Sequence, residues 1–355
     1  MKLRLFSPWL IAAAACLAVA FGIRSMSMSL PVEVKKNIVT EGALLAGTNR
    51  LTRLPSATSL SESLIATLSF VPENNKSVPL IFTMIENHED ARPYQQGLSS
   101  ALAVFELIVE GDITRFMGAF RADRLPPIVG PVRSLREHFV SIAIGYKPLL
   151  LHAGGHPLAY EALARNRDIL HHDGIRYDGQ TYERNPDIPA PHNLFMRRAP
   201  LQALIEETNI QPFRLPLFPT CSGAACNLTN GDEATKITLN MSSPDHDVTY
   251  LYKSLLGSYI RSIAGSPHQA QPKTIAILET TVEGFHQKGY VPWTQTIGEG
   301  KMLLFRNGKV MDGMWKRKKG EPFVFVDGEE EILKIAPGEV WITMLPSLSL
   351  VEWES

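Results

Sequence analysis

Val78-Pro79-Leu80-Ile81-Phe82-Thr83-Met84-Ile85 is the stretch on which the fold turns. It is short, apolar throughout except for one hydroxyl, and follows the polar run Pro72-Glu73-Asn74-Asn75-Lys76-Ser77. A run of this length without a polar alternation reads as a strand covered on both faces. Outward from it, Ser99 to Glu110 reads as a helix, polar at its start and apolar afterwards, and Ile113 to Phe120 as a second strand. Gly130-Pro131 is a turn and Ser134 to Tyr146 a second helix. Leu149-Leu150-Leu151 is another buried strand, ending at His152-Ala153-Gly154-Gly155, after which Pro157 opens a helix. Strand and helix in this alternation predict an α/β domain over 78–210, a mixed sheet with flanking helices.

Beyond the helix near Pro200 to Thr208 the composition shifts. Residues 211–230 are rich in Pro and Gly and contain Cys221 and Cys226, so they are expected to link two domains. Residues 231–355 predict a smaller, mainly antiparallel α+β domain. It has one helix, Val248 to Ala264, among strand-like pieces, and Asn307-Gly308 is a hairpin turn.

Residues 1–24 form a unit of their own. Lys2 and Arg4 precede an uncharged apolar run from Pro8 to Ile23, the plan of an export signal or membrane anchor. Cleavage after Ala18-Val19-Ala20, lipidation at Cys16 and retention as an uncleaved anchor all remain open. Residues 25–77 read as a spacer. The chain of 355 residues is 45% hydrophobic and 20% charged, which suits globular domains, and its net charge of −1 gives no reason to expect nucleic acid as a partner. Outside the cytoplasm, Cys221 and Cys226 can close a small disulfide loop; their spacing is neither C-x-x-C nor half of a four-cysteine site.

Several blocks in order resemble the YerB-like lipoproteins, a family of bacterial envelope proteins. In the first region they are Met84-Ile85-Glu86-Asn87, Ala91-Arg92-Pro93, Val109-Glu110-Gly111, Gly130-Pro131-Val132-Arg133-Ser134, His152-Ala153-Gly154-Gly155 and Ala190-Pro191-His192-Asn193-Leu194. Tyr259-Ile260-Arg261, Trp315-Lys316-Arg317 and Pro337-Gly338-Glu339-Val340-Trp341-Ile342 continue the likeness in the second. The resemblance implies an exported protein with N- and C-terminal family regions, and no reaction. Leu102, Phe105, Tyr94 and Asp112 depart from the usual family residues.

Candidate chemistry clusters at the predicted strand ends. Ser134-Leu135-Arg136-Glu137 has the form of a capping box. Arg133 and Arg136 would then stand at the positive end of a helix and seat an anion, unless internal carboxylates such as Glu106 or Glu110 occupy them. Glu106 and Glu110, four apart on a predicted helix, share a face. Arginines such as Arg115 and Arg133 compensate them, or burial holds one protonated as half of an acid/base pair, or both are simply exposed. His152-Ala153-Gly154-Gly155-His156 falls where a strand gives way to a helix, the usual crevice of an α/β sheet, though a tight turn would look the same. Glu86-Asn87-His88, Arg92 and His192-Asn193 could border that crevice. Lys316-Arg317-Lys318-Lys319 reads as an exposed hairpin loop or a contact for anionic polymer or lipid. His88, His152, His156 and His192 are scattered and match no metal motif, so neither metal nor other cofactor is expected. No G-x-S-x-G elbow is present. The first expectation is an exported, membrane-associated protein binding an anionic or glycan-like envelope ligand through Glu86, Asn87, Arg92, Glu110, Arg115, Arg133, Arg136, His152, Gly154, Gly155, His192 and Asn193. The alternative is an envelope-polymer hydrolase using Glu106 or Glu110 in the same cleft.

Overall fold

The opening run forms strand β1 (Leu80–Glu86), and all seven of its residues are buried. The computed structural model describes residues 76–228, 230–284 and 290–355. The expected export signal and nearly all of the spacer lie outside them. No helix among the described residues is long and apolar enough to cross a membrane.

Around β1 lies an 11-stranded mixed sheet. Its other long strands are β2 (Ala103–Ile108), β3 (Thr114–Arg121), β4 (Leu149–His152), β5 (Leu170–Asp173), β6 (Thr274–Glu279), β7 (Gly298–Arg306), β8 (Lys309–Arg317) and β9 (Val340–Leu345). They run in the order β8-β7-β6-β9-β2-β3-β1-β4-β5, and Asp232–Glu233 and Val324–Val326 both pair with β8. β9 lies parallel to β2, from Val340 opposite Ala103 to Thr343 opposite Glu106. The sequence regions on either side of 211–230 therefore meet in one sheet. Alternate residues of each central strand feed separate cores, as a period of two requires. Ile81, Ile85, Val104, Phe116 and Trp341 enter one, while Phe82, Met84, Phe105, Met117 and Ile342 enter the other.

Helices α1 (Glu137–Ile144) and α2 (Pro157–Arg165) cover the second face through Phe139, Ile142, Ala159 and Leu163. The first face is covered by a five-stranded antiparallel sheet and by α3 (Arg198–Glu207), which inserts Leu201. A further three-stranded sheet of Ile128–Val129, Leu194–Arg197 and Tyr182–Arg184 adds Val129, Leu194 and Met196 to that core.

Two expected helices are strands. Ser99 to Glu110 contains β2, with short 3-10 turns at Leu98–Ser100 and Glu110–Asp112. Its six residues are buried on both sides, so no polar alternation marks it as a strand. Val248 to Ala264 is a hairpin of Val248–Lys253 and Ser258–Ile263 turning at Gly257, which adopts φ +57°. With that correction the described residues after 211 contain no α-helix, and the fold is a strand-rich α/β arrangement. The capping box does not form either. α1 starts at Glu137 after Arg136, and Ser134 Oγ instead donates to the Ala153 carbonyl. Cys221 and Cys226 are joined in a disulfide.

Candidate functional site

β1 ends at Glu86, which pairs across the sheet with Arg115 near the start of β3. Residues 131–133 lie along this end. The Glu86 amide donates to Pro131 O, the Arg133 amide to Met84 O, and the Val132 amide to Leu194 O. That last bond brings His192 to the tip of β1 although it is over a hundred residues away in sequence.

The charges here form one chain. Arg133 Nε lies 2.8 Å from Glu86 Oε1, and His192 Nδ1 lies 3.1 Å from Glu86 Oε2 without hydrogen-bond alignment. Arg115 donates to Ser134 O and sits 3.9 Å from Glu110, whose two oxygens take Arg136 in a forked pair. Burial lowers Arg115 to about 10, helped by the neighbouring charge of Arg133, and burial alone lowers Arg136 to about 10. Arg133 differs from both. It is 28% exposed, and its two terminal nitrogens have no partner among the described residues. Against three guanidiniums the chain holds two carboxylates.

The expected anion seat at the start of α1 is thus taken by Glu110, because β2 is a strand and delivers that carboxylate to the helix. Glu106 goes elsewhere. It is fully buried, with Oε2 accepting from Arg261 Nη2 and Trp341 Nε1 at 2.7 Å each and Oε1 accepting from Thr114 at 2.8 Å. Every oxygen is occupied and none reaches solvent, so Glu106 is not available as an acid/base. Asn87 extends this interior network. It donates to Thr114, accepts from Arg92 Nε, and offers its carbonyl to His246.

The remaining expected residues are engaged with partners of their own. His152 Nδ1 donates to Gly154 O, and because a carbonyl only accepts, Nε2 is left to accept from His171 Nδ1 at 3.0 Å. Burial lowers both imidazoles. The Gly154 amide, expected to be free for a ligand, donates to Asp173 Oδ1. Asp173 also accepts from the Ile175 amide and Tyr160 OH; burial opposes its charge, but these hydrogen bonds outweigh it and hold the carboxyl below its usual range. Gly155 packs beside Leu135 and Tyr160, where a Cβ would make a tight contact of 3.2 Å with the tyrosine ring. His156 caps α2, and Asn193 accepts from Arg184. The basic run at 316–319 is partly structural, since Lys316 pairs with Glu330 and Arg317 is buried against Thr296 O and Ser141 O.

Residues 66–211 match the Protein of unknown function (DUF3048) N-terminal domain and residues 237–342 its C-terminal domain. The chain is 32% identical over 284 residues to "Putative lipoprotein YerB" of Bacillus subtilis (strain 168), covering 76% of this chain and 81% of that one. The chain belongs to the YerB-like DUF3048 family. It is also similar to the crystal structure of YerB protein from Bacillus subtilis, with a TM-score of 0.69 at 26% identity, covering 79% of this chain and 94% of the other.

In this DUF3048 chain the two family regions are joined at β2 and β9, where Glu106 of one meets Arg261 and Trp341 of the other. Phe105 packs with Phe82, Tyr146 and Phe323 and is a core residue. Sequence reading missed Asp90, His171, Asp173 and Tyr160. Asp90 had a signal, since His88-x-Asp90 immediately after a buried strand puts two donor side chains on one turn. Asp173 had none, because only the parallel register of His152 against Asp173 brings it to the crevice.

Proposed function

We propose that the protein is an extracytoplasmic binding protein, associated with the membrane through residues 8–23, that takes an anionic group of an envelope ligand at the tip of β1. The observation that carries this reading is Arg133: a half-buried guanidinium, anchored through one nitrogen to Glu86, with both terminal nitrogens open. A planar fork so held is suited to carboxylate or phosphate. His192 and the exposed edge of Glu110 border the same seam. The name of the Bacillus subtilis relative supports the location. A hydrolase built on Glu106 has no support in the geometry.

The test is calorimetric titration of the chelator-treated protein with inorganic phosphate and with a glycerol-phosphate oligomer. A lost charge-assisted hydrogen bond is worth about 1.5–3 kcal/mol, so Arg133→Ala should weaken binding roughly 10- to 100-fold. Binding that is unchanged in Arg133→Ala, or equally strong for an uncharged glycan, overturns the proposal.

A further inference from the structure

At the tip of β1, beside Arg133, a second group of side chains converges. His88, Asp90 and His192 each present a donor atom, and the three atoms lie within 4.8 Å of one another. His88 caps the turn Glu89–Tyr94, and its Nδ1 accepts from the Asp90 amide at 3.3 Å. The same nitrogen lies 3.6 Å from Asp90 Oδ2, and an ion there would take its lone pair in place of the long contact from the amide. This nitrogen–oxygen separation is close to the edge of a tetrahedron with metal–ligand arms of about 2.1 Å.

His192 completes the set. Its ring stacks 5.4 Å from that of His88, and its Nδ1 is turned toward Glu86 Oε2, so Nε2 is the nitrogen left for an ion. Both Nδ1 and that carboxylate oxygen are enclosed and make no hydrogen bond among the described residues. A histidine backed on its far nitrogen by a buried carboxylate is the arrangement that orients metal-bound imidazoles and raises their basicity. On these observations we propose that His88, Asp90 and His192 form a binding site for one divalent cation of the zinc class, with Glu86 as the positioning residue for His192. Two imidazoles and a carboxylate suit zinc better than magnesium or calcium, which favour all-oxygen sets. Three protein ligands leave a further coordination position open, and Asp90 is largely exposed, so that position faces solvent. The expectation of no metal, based on four scattered histidines, is revised because the fold unites two of them with an aspartate. The inference is independent of the anion reading.

The full chain, stripped with chelator and dialysed, is titrated with Zn²⁺ by calorimetry and with Co²⁺ by visible absorption. One ion per chain is expected, with Co²⁺ bands of a low-coordinate nitrogen and oxygen site. Asp90→Ala, at an exposed position that does not threaten folding, should weaken binding at least about tenfold; Glu86→Gln should weaken it roughly 10- to 100-fold. His192→Ala should abolish it with the circular dichroism spectrum unchanged. Absence of Zn²⁺ binding, or binding unaffected by Asp90→Ala, shows a His88–Asp90 ion pair only and overturns the site. Phosphate retention without Zn²⁺ binding removes this inference alone, and the converse removes only the anion reading.

Discussion

Replacing Glu106 by glutamine removes one negative charge and changes little volume, yet it strikes the junction between the two family regions. In the native protein Arg261 is wholly buried. Its guanidinium lies 4.3 Å from the Trp341 ring and near the rings of Phe116 and Tyr250, with Nε donating to Tyr250 OH. Burial disfavours that charge, but Glu106 outweighs it and raises the Arg261 pKa. Glutamine keeps one acceptor, sets an NH₂ group against the Arg261, Trp341 or Thr114 donors, and leaves a buried cation without its counter-charge. Removing one partner of such a pair costs about 3–5 kcal/mol. For a domain of this size that is roughly 6–12 °C in Tm. Urea titration and scanning calorimetry of Glu106→Gln measure it. The double variant Glu106→Leu/Arg261→Met should recover most of the loss, because both charges then leave the interior together. A loss under about 1 kcal/mol in Glu106→Gln would refute the reasoning. So would a double variant as unstable as the sum of its singles.

Two further outcomes follow from buried groups elsewhere. His138, the second residue of α1, is buried, and desolvation, aided by the charges of Arg136 and Arg115, lowers its pKa to about 3. The unfolded chain takes up that proton near pH 6.5 and the folded chain does not. Its contribution is therefore fully present above about 6.5 and lost as pH falls toward 3; His138→Leu should flatten the decline in urea midpoint between neutral and acid pH, and an unchanged slope would refute this. Reducing Cys221–Cys226 opens a loop with a sequence separation of 5, so stability should fall by about 2 kcal/mol on the loop-entropy scale. The urea midpoint with and without reductant tests it, and no change would show that the bridge adds nothing to folding.

How much of the fold was legible depended on whether a segment's neighbours are local. β1 and β4 are short apolar runs bounded by turn residues, and they are strands. Asn307 and Gly308, at φ +54° and +73°, make the turn joining β7 to β8, as that dipeptide in a hairpin should. Ala103-Val104-Phe105-Glu106-Leu107-Ile108 was not legible, because a strand buried on both faces and a segment of buried helix have the same apolar content. The deciding contact is with Val340-Trp341-Ile342-Thr343, more than two hundred residues later. Tyr250, Leu251 and Tyr252 favour strand, but the following hairpin turn contains Leu255 and Leu256, whose apolar character continues a helical reading across Gly257. The exposure of both leucines is visible only once the hairpin exists.

The candidate site was legible in composition and not in assignment. Glu86, Arg115, Glu110, Arg133, Arg136 and His192 do share one seam, but the sequence offers no way to separate them from Glu106 and Arg261, which are the same residue types with the opposite fate. The difference is a count of donors against acceptors. Around Glu106, guanidinium, indole and hydroxyl satisfy both oxygens, and the group closes on itself. Around Glu86 the count does not close: Oε2 and His192 Nδ1 face each other without a bond, and Arg133 keeps two nitrogens in solvent. A saturated buried network holds a fold together, whereas an unsaturated one at a surface retains capacity for something outside the chain. That residual capacity, rather than the presence of arginines and histidines, marks the tip of β1 as the place to look for ligand and metal.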